Sequence, residues 1–330
     1  MASEKTDQLS AHLDRAWDLV SRGDLAGALR SAQKSLELDG DSPEVHNLLG
    51  FVAAQEGRGE EALEHYERAI ELEESFVEAM LNAAECCIHP LAEWDAAIGH
   101  VEQALEWIDD DEELADALLL SVEAHFGKKD LDGARSVLAR VPSGPFENPG
   151  LLFALGRAHF DLGAPGPAEA ALAAALAADP AHSDAAYYLG LVLEQRGDRR
   201  GASLAFLQSR DAELRRAPVL ERVPHGEFEK RVKSALGKLP EHAQAVLAGA
   251  LVIVGDVPGA EVVAEGVDPR LPVLIDDVRR EPELRAGRVF VYQRNVERTL
   301  ESPSLVAVED AIVRFLGEEL EFVEAGPPAP

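Results

Sequence analysis

Small and large apolar positions repeat along the first two thirds of the chain with a period of 34 residues. Gly23, Gly57, Gly163 and Gly197 are each followed five residues later by an alanine: Ala28, Ala62, Ala168 and Ala202. The intervals 23→57, 28→62, 163→197 and 168→202 are all 34. Such a period is that of two helices joined by a turn and stacked into a solenoid, with each glycine expected to open the second helix. Every pair spends its apolar face on its neighbours and leaves a polar surface for a partner. The pattern predicts binding rather than chemistry.

Within the period, a large residue followed by a small one marks the first helix and a run of alanines and aromatics marks the second. Leu49-Gly50, Gly57, Ala62, Tyr66 and Ala69 form one such set. Leu155-Gly156, Gly163, Ala168, Leu172, Ala175 and the terminating Pro180 form another, and Leu189-Gly190, Gly197, Ala202 and Phe206 a third. A small residue at a crossing lets two helices approach, while larger ones fill the space on either side. These residues resemble the tetratricopeptide repeat (TPR), in about six copies over 9–216. The first copy is degenerate, with His12, Trp17 and Ala32. The third carries an extra residue near Pro90, and the fourth is longer again and ends at Pro142–Pro145. The charged stretch 210–216 is expected to extend the last helix into a polar cap.

In TPR arrays the first helix of each pair lines a concave surface. Projecting that register gives Trp17, Glu44, Asn47, Phe51, Glu78, Glu85, Asp116, Glu123, Phe153, Arg157, Phe160, Asp161, Asp184, Tyr187 and Glu194. The set is acidic with aromatic interruptions. Repeats that grip a terminal carboxylate carry Lys, Arg and Asn there, and only Asn47 and Arg157 fit. The resemblance implies a protein or peptide partner of basic or mixed charge.

After Pro218 and Pro224 the pattern stops. Residues 228–236 and 240–247 read as helices, 251–254 and 288–293 as strands, and 305–316 as a helix opened by Ser302-Pro303-Ser304. The order of these elements, with Val257-Pro258 and Tyr292-Gln-Arg-Asn-Val-Glu-Arg298, resembles small bacterial zincin-like metallopeptidases over about 225–324. In that family the closing helix carries His-Glu-x-x-His, two zinc ligands one turn apart and a general base. Here one alignment puts Leu316, Gly317 and Leu320 at those positions, and another puts Asp310, Ala311 and Arg314. No histidine follows His242. An aliphatic side chain cannot bind zinc, so the domain is expected to be an inactive peptidase-like module without cofactor. Asp276-Asp277 and Glu318-Glu319-x-Glu321 offer oxygen donors, but not at the spacing of a calcium loop. A metal-dependent hydrolase with an unrecognised site is the alternative.

Charge narrows the partners. The formal net charge is −30, with 41 acidic against 18 basic residues over 1–216 and 20 against 13 over the rest. That balance disfavours nucleic acid and anionic membranes and favours basic partners. The first residues lack the basic start and apolar core of a signal peptide, and no apolar run approaches a membrane span. The two cysteines, Cys86 and Cys87, are adjacent in one helix and point apart, which suits unpaired packing residues in a cytoplasmic protein. Cys86 or Cys87 as a nucleophile with His89 or His100 would need an orienting group that the sequence does not supply. The organisation expected is a disordered start (1–8), a TPR solenoid (9–216), a linker (217–227), a degenerate zincin-like α+β domain (228–324) and a disordered tail (325–330). The function expected is a non-enzymatic interaction scaffold.

Overall fold

The computed structural model describes residues 2–216, 222–281, 283–300 and 302–325. The chain divides into two compact units, residues 1–164 and 165–330.

The first unit is a series of antiparallel helices: α1 (Ala2–Ser21), α2 (Leu25–Leu38), α3 (Pro43–Gln55), α4 (Gly59–Leu72), α5 (Val77–Ile88), α6 (Trp94–Ala104), α7 (Asp111–Gly127), α8 (Leu131–Leu138) and α9 (Pro149–Asp161). Asp24, Ser42, Asp110, Asp130 and Asn148 cap helix starts, each side chain accepting from a first-turn N–H. Residues 2–8, expected to be disordered, belong to α1. Leu9 and Leu13 pack on a core that includes Ala16, Ala28 and Leu48, and no Gly or Pro in 2–8 stops the helix from running back.

The period-marking glycines do not open the second helices as expected. Gly23, Gly57, Gly163 and Gly197 sit in the turn with φ of 75°, 76°, 73° and 81°. Gly57 N–H donates to Ala54 O and Arg58 N–H to Ala53 O, so the turn satisfies the last carbonyls of α3. Ala92 (φ 55°) and Lys129 (φ 59°) hold the same place in repeats three and four. A side chain in this left-handed region costs about 1–2 kcal/mol, so Lys129→Gly should raise stability by about 0.5–1 kcal/mol; a denaturation midpoint that falls instead would refute the strain.

The small crossing residues behave as the pattern requires. A Cβ on Gly50 would lie 2.7 Å from the Tyr66 ring and 3.0 Å from Ala62 O. Gly50→Ala should therefore cost about 1–3 kcal/mol by overpacking, read from thermal melting of the intact chain.

The second unit continues with α10 (Pro165–Ala178), α11 (Ser183–Gln195) and α12 (Arg199–Arg215), then α13 (His225–Lys238), α14 (Glu241–Leu247), β1 (Leu251–Gly255), α15 (Ala260–Ala264), β2 (Val273–Arg279), β3 (Arg285–Tyr292), α16 (Gln293–Arg298) and α17 (Leu305–Ala325). The sheet order is β1-β3-β2, with β1 parallel and β2 antiparallel to β3. Strand β2 escaped the sequence reading because Asp276-Asp277 interrupts its apolar run. Val273 and Ile275 face the core, and Asp276 opposes Arg288 across the ladder and pairs with it at 2.5 Å. The expected linker is helical from His225, and 217–221 lie outside the described residues. Of the expected tail, Ala325 closes α17, and 326–330 lie outside them too.

Helix α17 lays Ile312, Leu316 and Leu320 against Val289 and Val291 of β3 and Phe228 and Val232 of α13. Glu309 ties the same pair of helices, accepting from Arg231 at 2.9 Å, Ser234 at 2.7 Å and Lys238 at 2.7 Å. These donors, Lys238 foremost, hold its carboxyl down from the usual 4.5 to about 2. A depressed carboxylate stabilises the fold above its unfolded pKa, and that contribution is lost as pH falls through the folded value. The stability gap between the native chain and Glu309→Gln should thus be full above pH 4.5 and vanish by about 2. A gap independent of pH would exclude the ionic clamp.

Past Tyr292, the last residue of β3, Gln293 is helical rather than strand, and α16 forms a polar hub. Gln293 donates to Val223 O at 2.7 Å, and Asn295 donates to Pro269 O and Leu271 O at 2.9 Å each. Glu297 accepts from Arg222, and Arg294 and Arg298 reach back to Glu213 on α12. Most buried polar side chains are satisfied in this way, although Tyr292 Oη and Arg294 Nε here have no hydrogen-bond partner among the described residues.

Candidate partner-binding groove

A groove of about 890 Å³ opens in the first unit between α5, α7 and α9, the first helices of repeats three, four and five. Helical spacing puts Glu85 on α5, Asp116 and Glu123 on α7, and Phe153, Arg157 and Asp161 on α9 along its walls. The sequence reading selected all six. It missed His89, Trp94 and Phe126, which also line the groove. Their signal was faint because repeats three and four are lengthened, which displaces the projected register.

Four carboxylates face one guanidinium here. Arg157 lies 3.7 Å from Asp161, and His89 lies 3.9 Å from Glu123. Among the described residues the Glu85 and Asp116 side chains have no hydrogen bond or ion pair. Desolvation by the groove walls pushes the Asp116 carboxyl up, and Glu112 adds to it. Desolvation also raises Asp161, against a smaller opposing pull from Arg157. Both groups are ionised at a cost that an incoming cation would relieve.

Other projected residues lie elsewhere. Asn47 is buried; it donates to Glu78 at 3.0 Å and accepts from Asn82 at 2.9 Å, so it and Glu78 bridge α3 and α5. Its amide is spent on packing because the helices meet closely there. Trp17 and Phe51 pack against each other, with centroids 5.3 Å apart and planes tilted by 59°. Glu44 accepts from Ser42 at its own helix start. Phe160 is not among the groove-lining residues. Glu194 is exposed on α11. Tyr187 is taken by the chain itself: its hydroxyl donates to Asp268 at 2.9 Å and Arg270 covers its ring.

The alternative chemistry finds no support in these contacts. Burial pushes the Cys87 thiol up to about 12 and raises Cys86 as well, so neither is a thiolate at neutral pH. Glu318 pairs with Arg314 at 3.3 Å, and Glu319 accepts from Ile275 N–H at 3.4 Å.

A family model described as Tetratricopeptide repeat matches residues 13–89 and 153–212. Over those residues the chain is similar to tetratricopeptide repeats. The unmatched interval between them holds α6, α7 and α8, the second helix of repeat three and both helices of repeat four, with Ala92 and Lys129 in place of the turn glycine. The TPR part is similar in fold to PilF of Pseudomonas aeruginosa, with a TM-score of 0.54 at 15 % identity over 64 % of this chain and 95 % of that one. It is similar to PilW, a type IV pilus biogenesis factor, with a TM-score of 0.54 at 14 % identity over 63 % and 94 %. A chain of the APC/C hetero-tetramer Cut9–Hcn1 gives 0.51 at 17 % identity over 63 % and 41 %. At such identities the likeness is one of fold. No curated protein matches the chain. Among the described residues no helix is long and apolar enough to cross a membrane.

Proposed function

We propose that this chain is a non-enzymatic interaction scaffold whose groove on α5, α7 and α9 receives a basic segment of a partner protein. TPR proteins in general serve as interaction scaffolds, and the repeats here support that role. The observation that carries the basic partner is the set of four groove carboxylates against one arginine, two of them with no side-chain ion pair among the described residues. Fields from charges on one concave face add, so a basic partner is both steered in and held.

The reading is tested by titrating a labelled basic peptide into the intact chain at several pH values. Because Asp116 and Asp161 have raised pKa values, binding should weaken on acidification sooner than ordinary aspartates would require. The sign follows from protonation removing the charge the partner needs. Asp116→Asn with Asp161→Asn should lower the affinity and flatten this dependence. Binding indifferent to both changes would refute the groove.

The C-terminal α+β part is read as an inactive peptidase-like module that serves as structure. Its closing helix supports this, since Leu316 and Leu320 occupy the hydrophobic core where the resemblance would place zinc ligands. The two buried free thiols suit a reducing, cytoplasmic setting.

A further inference from the structure

The chain itself displays how its repeat surface holds a guanidinium. In the sixth repeat, Arg270 lies over the Tyr187 ring with Cζ 3.9 Å from the centroid, and its Nη2 pairs with Asp184. Tyr187 Oη donates to Asp268, which also accepts from the Arg270 N–H at 2.7 Å, so ring and loop are fixed together. Asp184 and Tyr187 share α11, one turn apart. The recipe is an aromatic face plus a carboxylate from the same concave register.

Thirty-four residues before Tyr187 stands Phe153, which lines the groove with Asp116. The groove therefore repeats the aromatic at the equivalent place in the preceding repeat; Gly150 stands where Asp184 would be, and the carboxylate comes instead from Asp116 on the neighbouring α7. A guanidinium is planar and weakly hydrated, so it can stack on a ring while its edge meets a carboxylate. An ammonium is a strongly hydrated point charge that must surrender water to do the same. We propose that the groove reads arginine rather than lysine in its partner, with Phe153 as the stacking face and Asp116 as the counter-charge. This rests on the groove reading above and adds the identity of the recognised side chain.

The test uses the intact chain and two fluorescein-labelled Gly-Ser peptides, one with alternate arginines and one with lysines at the same places. The arginine peptide should bind about tenfold more tightly, the scale of a partly desolvated cation–π contact. Phe153→Leu should erase that preference, Phe153→Tyr should keep it, and Asp116→Asn should weaken both peptides. Circular dichroism checks that each variant is folded. Equal binding of the two peptides, lost with salt and on groove charge reversal, would overturn the arginine inference and leave the groove reading intact. A preference that survives Phe153→Leu would overturn the stacking site. Binding of neither peptide, or binding that no groove variant alters, would overturn both.

Discussion

Reversing Glu85 and Glu123 to lysine should lower the affinity for a basic peptide on the order of 100-fold at low salt. Each reversal removes an attraction and adds a repulsion on the same wall, and like charges brought together at an interface cost several kcal/mol. Both side chains face the groove rather than the core, so the helical signal should not change. Raising the ionic strength shortens the screening length, and the difference between native and reversed chains should shrink with it. Titration at two salt concentrations reads both effects. A reversed chain that binds as tightly as the native one would remove the groove from the mechanism.

Leu316→Ala should destabilise the C-terminal region by about 2–5 kcal/mol. Leu316 is fully buried between the sheet and α13, so truncation removes contacts and leaves a cavity that neighbouring helices cannot close. Leu316→Met, which conserves volume, should cost less than about 1.5 kcal/mol. Denaturant midpoints of the two variants give the comparison. A cost for alanine no larger than that for methionine would show that the position is not core, and would reopen the helix to other roles.

The repeats could be read from the chain because a 34-residue period records packing directly. Gly50 and Tyr66 are legible as a crossing pair since only a small residue admits the ring at that distance. The turn glycines were legible as markers but not as conformations, because an alanine or a lysine can be forced into the same backbone at a cost, as Ala92 and Lys129 are. Part of the groove was legible too, through the charges on α5, α7 and α9. Asn47 and Tyr187 were misjudged for one reason: register says which way a side chain faces, not whether a neighbour has already claimed it. Strand β2 and helix α15 were hidden because short edge elements owe their shape to what they pack on rather than to their own periodicity.

The way the last repeat is finished constrains how such a chain could change over time. Val263 of α15 is buried with Ala202 and Phe206 of the final repeat, and Arg294 and Arg298 of α16 grip Glu213. That terminus is therefore keyed to particular side chains of one repeat, whereas interior repeats meet only copies resembling themselves. Gene-level duplication or loss of a 34-residue block could be absorbed in the interior, altering groove length at little cost. The same event at repeat six would strip the C-terminal region of its seat, so lengthening and shortening should be confined to the upstream repeats.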